Sequence, residues 1–193
     1  MAFIRDLPLG FEPGTKERYS NTGFEVLGAV IEKAAGKSYY DFVREVVYGP
    51  AGMKDTDAFD RDLSVPGLAE GYTNQSPYGP DTGYERSTRY LHAPKGTPAG
   101  GGYGTAGDLL RFVDAVWHNR LLDASHTDLL LNRFQEGKPR SQGFGFAGGS
   151  PGTNSVIIAN MEAGQIVIVL SNFDEPIAEE LGQYLFDLSR EDN

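Results

Sequence analysis

The sequence predicts an α+β domain, and three observations predict it. Apolar residues at helical spacing dominate the first two-thirds, β-branched runs dominate the last third, and an amphipathic segment closes the chain. Helices first and antiparallel strands last segregate the two kinds of element. The 193 residues make one domain, with a helical and loop lobe over about 1–140 and sheet strands plus a closing helix over about 141–193. A chain of this length is expected to bury about 70% of its unfolded surface.

The first helix is expected over about Thr22 to Ala35. Phe24, Leu27, Val30, Ile31 and Ala34 share its apolar face, Asn21 is placed to cap it, and Gly36 stops it. Ser38 opens a second helix, with Asp41 as the partner in a capping box, Phe42, Val43, Val46 and Val47 as its apolar face, and Pro50 as its end. Lys54 to Gly104 is irregular and rich in Gly, Pro, Tyr, Asn and Asp; a loop this long inside a domain is functional or mobile. Thr105 and Asp108 form a second capping box, and Leu109, Leu110, Phe112, Val113, Val116 and Trp117 bury one side of the helix that follows. A short helix is expected from Ser125 to Arg133. Ser155 to Asn160 and Ile166 to Ser171 form a hairpin around Ala163-Gly164. The closing helix runs from about Glu175 to Leu188, with Ile177, Leu181, Tyr184, Leu185 and Leu188 facing the sheet, and Arg190 to Asn193 fray.

Composition excludes several classes of function. With 39% hydrophobic and 11% aromatic residues the chain folds rather than staying disordered. A net charge of -10 opposes a nucleic-acid partner, because phosphate backbones are bound by clustered Lys and Arg. No cysteine is present, which removes disulfides and thiolate metal sites. His92, His118 and His126 lack ligand spacing, so neither a metal nor another cofactor is expected; His118, beside Trp117 at a helix end, suits the helix dipole. No apolar run approaches the roughly 20 residues that span a bilayer, so no membrane partner is expected. The opening MAFIRDLPLG is too short and polar for a secretory leader, and the chain as written is expected in the cytoplasm, unless a precursor has lost its front.

Several separated segments occur in a familiar order. FEPGTKERYSN (Phe11 to Asn21) leads into a helix, and Pro50-Ala51-Gly52-Met53 follows the next one. PAGGGYGTAGDLLRFVDAV (Pro98 to Val116) supplies a glycine turn and a helix, and GGSPGTNSVIIANMEAGQIVIVLSN (Gly148 to Asn172) the last strands. Over nearly the whole chain this resembles the C-terminal part of the class C-like branch of the serine β-lactamase, penicillin-binding and D-alanyl-D-alanine peptidase superfamily, members of which are often exported. The resemblance implies the β-lactamase/transpeptidase-like α+β fold, a helical lobe with a reduced antiparallel sheet and the C-terminal helix packed on it. It also implies acyl transfer on an ester, amide or lactam through an acyl-serine, on a small or peptide-like substrate. Tyr19 and Asn21 then take the roles of the family's Tyr-x-Asn motif, the Tyr as acid or base and the Asn as holder of the substrate amide or the lysine. Tyr72, Tyr78, Tyr84, Tyr90 and Tyr103 suit either the family's substrate cleft or ordinary loop packing.

The family's other two motifs are not matched. No serine here is followed three positions later by lysine, and the 18 residues before Tyr19 are too few to hold that motif. Where His-x-Gly or Lys-Thr-Gly belongs the chain reads Gly145-Phe146-Ala147-Gly148, so Phe146 or a deletion replaces a polar side chain, and the strand looks shortened. Two short matches are set aside. Gly148-Gly149-Ser150-Pro151-Gly152 imitates a nucleophile elbow, but Pro151 has no N–H for an oxyanion and a strand follows, so Ser150 reads as a loop serine. Gly102 to Gly107 imitates a dinucleotide fingerprint without the strand that must precede it. The reading is a serine hydrolase incomplete as given and inactive alone, or a non-catalytic binding module on the same scaffold. The strands missing from the sheet are expected to leave an edge that recruits a complementing fragment or a second copy, and a monodisperse monomer at tens of micromolar would count against this.

Overall fold

A computed structural model describes residues 8–76, 83–132 and 138–191. Helix α1 spans Asn21–Ala35, beginning one residue earlier than the periodicity suggests. The cap is Ser20, whose Oγ accepts from the Gly23 N–H at 3.1 Å, and not Asn21, which is already helical. Gly36 closes the helix in the left-handed region. Replacing Ser20 by alanine is expected to cost about 1 kcal/mol, while Asn21→Ala leaves the urea midpoint unchanged. Equal losses from both would return the cap to Asn21.

Ser38 caps α2 (Tyr39–Val43) as expected, its Oγ accepting from the Asp41 N–H and donating to the Asp41 carboxylate. The helix does not stop at Pro50. It widens into a π turn over Arg44–Tyr48 and continues as the single turn α3 (Gly49–Ala51). The wider turn tolerates a residue without an N–H, and Gly52 terminates the run. Gly52 N–H to Gly49 O and Met53 N–H to Tyr48 O form the paired bonds of a Schellman motif.

The 54–104 segment is irregular apart from a small hairpin, β1 (Tyr72–Thr73) with β2 (Arg86–Ser87). Its path is pinned at several points: Asp57 pairs with Tyr103, Asp60 with Lys95, and the Tyr40 hydroxyl donates to Gly96 O at 3.0 Å. Tyr78 lies outside the described residues.

Helix α4 spans Ala106–Trp117 with Thr105 as its cap. Asp108 does not complete a box. Its fully buried carboxylate accepts from the Asp55 N–H, the Thr56 hydroxyl and the Arg111 guanidinium, and so fastens the start of the long loop. Burial opposes ionisation here, but those donors outweigh it and hold the carboxyl below the usual range. Val113, Ala115 and Val116 are buried, and Ala115 joins Ala51 and Met53 in the helical core; Leu110, expected inside, is exposed. Helix α5 (Ala124–Leu131) starts on an Asp123 cap; Arg133 lies outside the described residues. Arg140 joins these two helices, donating to Trp117 O and to the Asp128 carboxylate. His118 sits at the end of α4 against Asp114, as the dipole argument expects.

Three antiparallel strands follow in the order β3 (Gly143–Ser150), β4 (Thr153–Asn160) and β5 (Gln165–Ser171). β3 is not shortened: all eight of its residues pair with β4, from Gly143↔Asn160 to Ser150↔Thr153. The turn between them needs Gly152, which sits at φ 77°, and a Cβ there would strike the Thr88 side chain. The outer edges of β3 and β5 have no strand partner among the described residues.

Helix α6 (Ile177–Glu191) packs on β4 and β5, but not by the expected face. Ala178 and Gly182 meet the sheet, and a Cβ on Gly182 would overlap Val156. Ile177, Leu181, Tyr184, Leu185 and Leu188 are exposed. The apolar face of α1 is open as well at Phe24, Leu27 and Val30. The accessible surface is 13029 Å², against about 9,000 Å² for a compact monomer of this mass. The chain carries more apolar face than it can cover by itself.

Candidate functional site

Ser20 takes the capping bond, so Asn21 keeps its side chain free of the backbone. Its Oδ1 accepts from the Tyr19 hydroxyl at 2.9 Å. The Tyr19 ring is 74% exposed and leans on Phe24, with ring centroids 5.6 Å apart. Both predicted site residues open onto one cleft of about 640 Å³. The N-terminal end of α1 forms one wall, the end of β3 (Ala147 to Ser150) the other, and the Gly100–Gly102 turn borders it.

Periodicity had not placed the remaining polar groups of the cleft. His92 comes from the long loop, and its Nε2 donates to Pro151 O at 2.7 Å, tying the loop to the β3–β4 turn. Arg61 donates through Nε to Ala93 O, lies over the Tyr103 ring and forms no ion pair with a carboxylate among the described residues. Lys95 pairs with Asp60 at 3.3 Å and stands above the Tyr40 ring. Glu175 contributes the opposing charge. Arg61, His92 and Lys95 reach the cleft because the 54–104 segment is tied to the β3–β4 turn through His92 and Pro151 and to the end of β5 through Tyr72, Glu70 and Asn172, and no local signal announces that path.

Ser150 is a strand residue lining this cleft rather than a loop serine, and a β-turn follows it where an elbow would need a helix. Phe146 is 54% exposed and stands outside the cleft, beside Phe144, at a separate cavity with Leu130 and Leu131. Tyr84 and Tyr90 point to solvent, and Tyr103 lines a neighbouring cavity with Arg61 and His92. No group of three or more potential metal-ligating His, Cys, Asp or Glu side chains occurs among the described residues. No helix among them is long and apolar enough to cross a membrane.

This order of helices and strands, with a tyrosine and an asparagine at the start of α1 facing β3 across a cleft, has close counterparts. The family profile described as Beta-lactamase matches residues 1–190. The chain belongs to the beta-lactamase family. Penicillin-binding protein 4* of Bacillus subtilis is 30% identical over 189 residues, covering 86% of this chain and 42% of that protein. Esterase EstB of Burkholderia gladioli is 30% identical over 145 residues, covering 65% of this chain and 37% of the esterase. Among solved structures, a penicillin binding protein from Bacillus halodurans superposes with a TM-score of 0.77 at 25% identity, over 88% of this chain and 56% of that one. The octameric penicillin-binding protein homologue from Pyrococcus abyssi shares the fold, with a TM-score of 0.76 at 19% identity over 97% of this chain and 46% of that one. The chain thus spans about half or less of the length of each of these relatives.

The 193 residues supply a phenol and an amide in contact. Within these residues no serine stands three positions before a lysine.

Proposed function

We propose that this chain is part of a serine acyl-transfer enzyme acting on an ester, amide or lactam. Tyr19 and Asn21 form its acid–base and substrate-orienting wall, and the nucleophilic serine and its lysine come from residues outside the 193 given. The observation that carries this reading is the Tyr19–Asn21 hydrogen bond at the mouth of a cleft whose other wall is β3. The free edge of β5 suits the strands that would accompany a completing segment, since unpaired N–H and C=O groups favour strand addition. The chain alone is then catalytically silent.

Intact mass after incubation with a fluorophosphonate, and separately with a penicillin, tests this. The expected result is no adduct on the chain alone, and a stoichiometric adduct on the added serine once a Ser-x-x-Lys segment is present. An adduct on the isolated chain, mapped to Ser150 for example, would overturn it.

The second reading is a binding module that keeps the cleft without the chemistry. It is favoured by Phe146, which stands where the family carries a polar motif and lies outside the cleft. That reading predicts reversible penicillin binding, by calorimetry, with no adduct even after completion.

A further inference from the structure

Five aromatic rings line a second cavity, beside the cleft, to which the acyl-transfer reading gives no role. Tyr19 and Phe24 reach it from either side of the α1 cap, Tyr39 and Tyr40 from the start of α2, and Tyr48 from the π turn, a feature that recurs at functional sites. Tyr19 and Phe24 lean together with centroids 5.6 Å apart, and Tyr39 meets Tyr40 edge to face at 5.7 Å. The Tyr40 hydroxyl donates to Gly96 O, which fixes its ring. The cavity measures about 250 Å³. Pockets that take a whole drug-sized molecule measure roughly 300–1,000 Å³, so this one fits a single group of a larger ligand. Tyr19 and the turn residues Thr97, Ala99, Gly100 and Gly102 line both this cavity and the cleft, so the two adjoin.

The charged groups at these rings sum to negative. Arg44 lies between two carboxylates, Asp57 at 2.8 Å and Asp41 at 3.1 Å, and is outnumbered by them. Asp57 itself lines the cavity. Burial, then Tyr40 and then Glu25, push the Tyr39 phenol above its ordinary range, so a further carboxylate acts on this ring. Lys95 is neutralised by Asp60, and its ammonium stands 4.8 Å from the Tyr40 centroid. One ring of the group thus already carries a cation on its electron-rich face.

We infer that this cavity binds the quaternary ammonium group of a substrate whose acyl bond lies in the cleft. Several ring faces and a surplus of carboxylates select that occupant together, because it is cationic, weakly hydrated and without hydrogen-bond donors of its own. The substrate is then an ester or amide with a trimethylammonium group a few bonds from the scissile carbonyl. The assignment to a substrate rests on the acyl-transfer reading; ammonium binding by the rings does not.

The probes are choline and its neutral carbon isostere dimethylbutanol, titrated into the whole chain and followed by saturation-transfer NMR on their methyl protons. Choline is expected to bind about ten-fold or more tightly than the isostere, with saturation reaching its methyls from tyrosine ring protons. Tyr39→Leu should weaken choline about five-fold, and Tyr39→Phe should retain it, since the ring stays and only the hydroxyl goes. The comparison of the two probes on the parent chain needs no variant, and stands even if Tyr39→Leu fails to fold. Equal binding of the two would make the cavity an apolar one, and choline binding unchanged in Tyr39→Leu would place the cation on the acidic surface instead. Either result, or no choline binding at all, overturns the proposal. In the protein carrying its Ser-x-x-Lys segment, kcat/KM for acetylcholine should exceed that for dimethylbutyl acetate about ten-fold. Equal turnover of the two esters would overturn the ammonium subsite and leave acyl transfer standing. Choline binding with no penicillin or fluorophosphonate adduct would overturn acyl transfer and leave the ammonium site standing.

Discussion

Tyr19→Phe is expected to slow acylation about a hundredfold or more in the protein carrying its Ser-x-x-Lys segment, with little effect on folding. Both halves of that expectation come from the same geometry. The ring is largely exposed and its hydroxyl makes one described hydrogen bond, to Asn21, so removing the oxygen changes stability by no more than about 0.5 kcal/mol. The hydroxyl also stands at the mouth of the cleft, just before the Ser20 cap, and is the ionisable group there that contacts Asn21. The measurement is the rate of penicillin adduct formation by mass spectrometry, with urea midpoints alongside. A Phe variant that acylates at the parental rate removes Tyr19 from the chemistry. One that loses activity and midpoint together assigns it a packing role.

Asp174→Ala should give the largest loss of stability, about 3 kcal/mol, a substantial part of the 5–15 kcal/mol typical of a domain. The residue lies between β5 and α6. Its Oδ2 accepts from the Thr73 hydroxyl at 2.9 Å and the Asn74 N–H at 3.0 Å, and its Oδ1 from the Gly152 N–H at 2.8 Å. One carboxylate thus holds the long loop, the β3–β4 turn and the start of the C-terminal helix together. Thr73 is fully buried, so the alanine variant leaves its O–H without an acceptor, although its oxygen still accepts from the Gln75 N–H. Burial alone would raise the pKa of Asp174, but the three donors overcome it and hold the group below the ordinary carboxylate range. With the folded value below the unfolded one, the stabilisation is fully present above the unfolded pKa and is lost as pH falls through the folded pKa. Urea midpoints taken from neutral pH downward should therefore fall more steeply for the parent than for Asp174→Asn. Parallel curves, or an alanine midpoint equal to the parent's, would remove the clamp from the account.

The elements that local chemistry specifies were legible in the sequence. Ser38 and Thr105 cap their helices as their spacing suggests, and the hairpin around Gly164 follows from two β-branched runs. The errors have physical causes. Ser20 and Asn21 are both good caps, and only the Tyr19 hydroxyl bond to Asn21 separates their uses. The apolar stripe of α6 was assigned to the sheet because periodicity reveals an apolar face without revealing what covers it. The sheet instead takes the small residues Ala178 and Gly182, which permit a close approach. Asp108 reads as a box residue by spacing, yet its carboxylate is claimed by Asp55 and Thr56, more than fifty positions away. In the cleft, Tyr19 and Asn21 were readable from a motif. Arg61, His92 and Ser150 were not, because the fold of an aperiodic loop and a strand end brings them there.

The division of labour between Ser20 and Asn21 also governs which replacements each position tolerates. Position 20 asks only for a short acceptor that reaches the Gly23 amide, so Thr, Asp or Asn can serve there with the helix intact. Position 21 owes nothing to the backbone through its side chain, and a good helix former would suit it for folding. Under the proposed function, an amide at 21 serves the Tyr19 hydroxyl that it accepts from, and a library randomised at both sites tests this: selection for folding is expected to narrow position 20, and selection for turnover of the completed enzyme position 21.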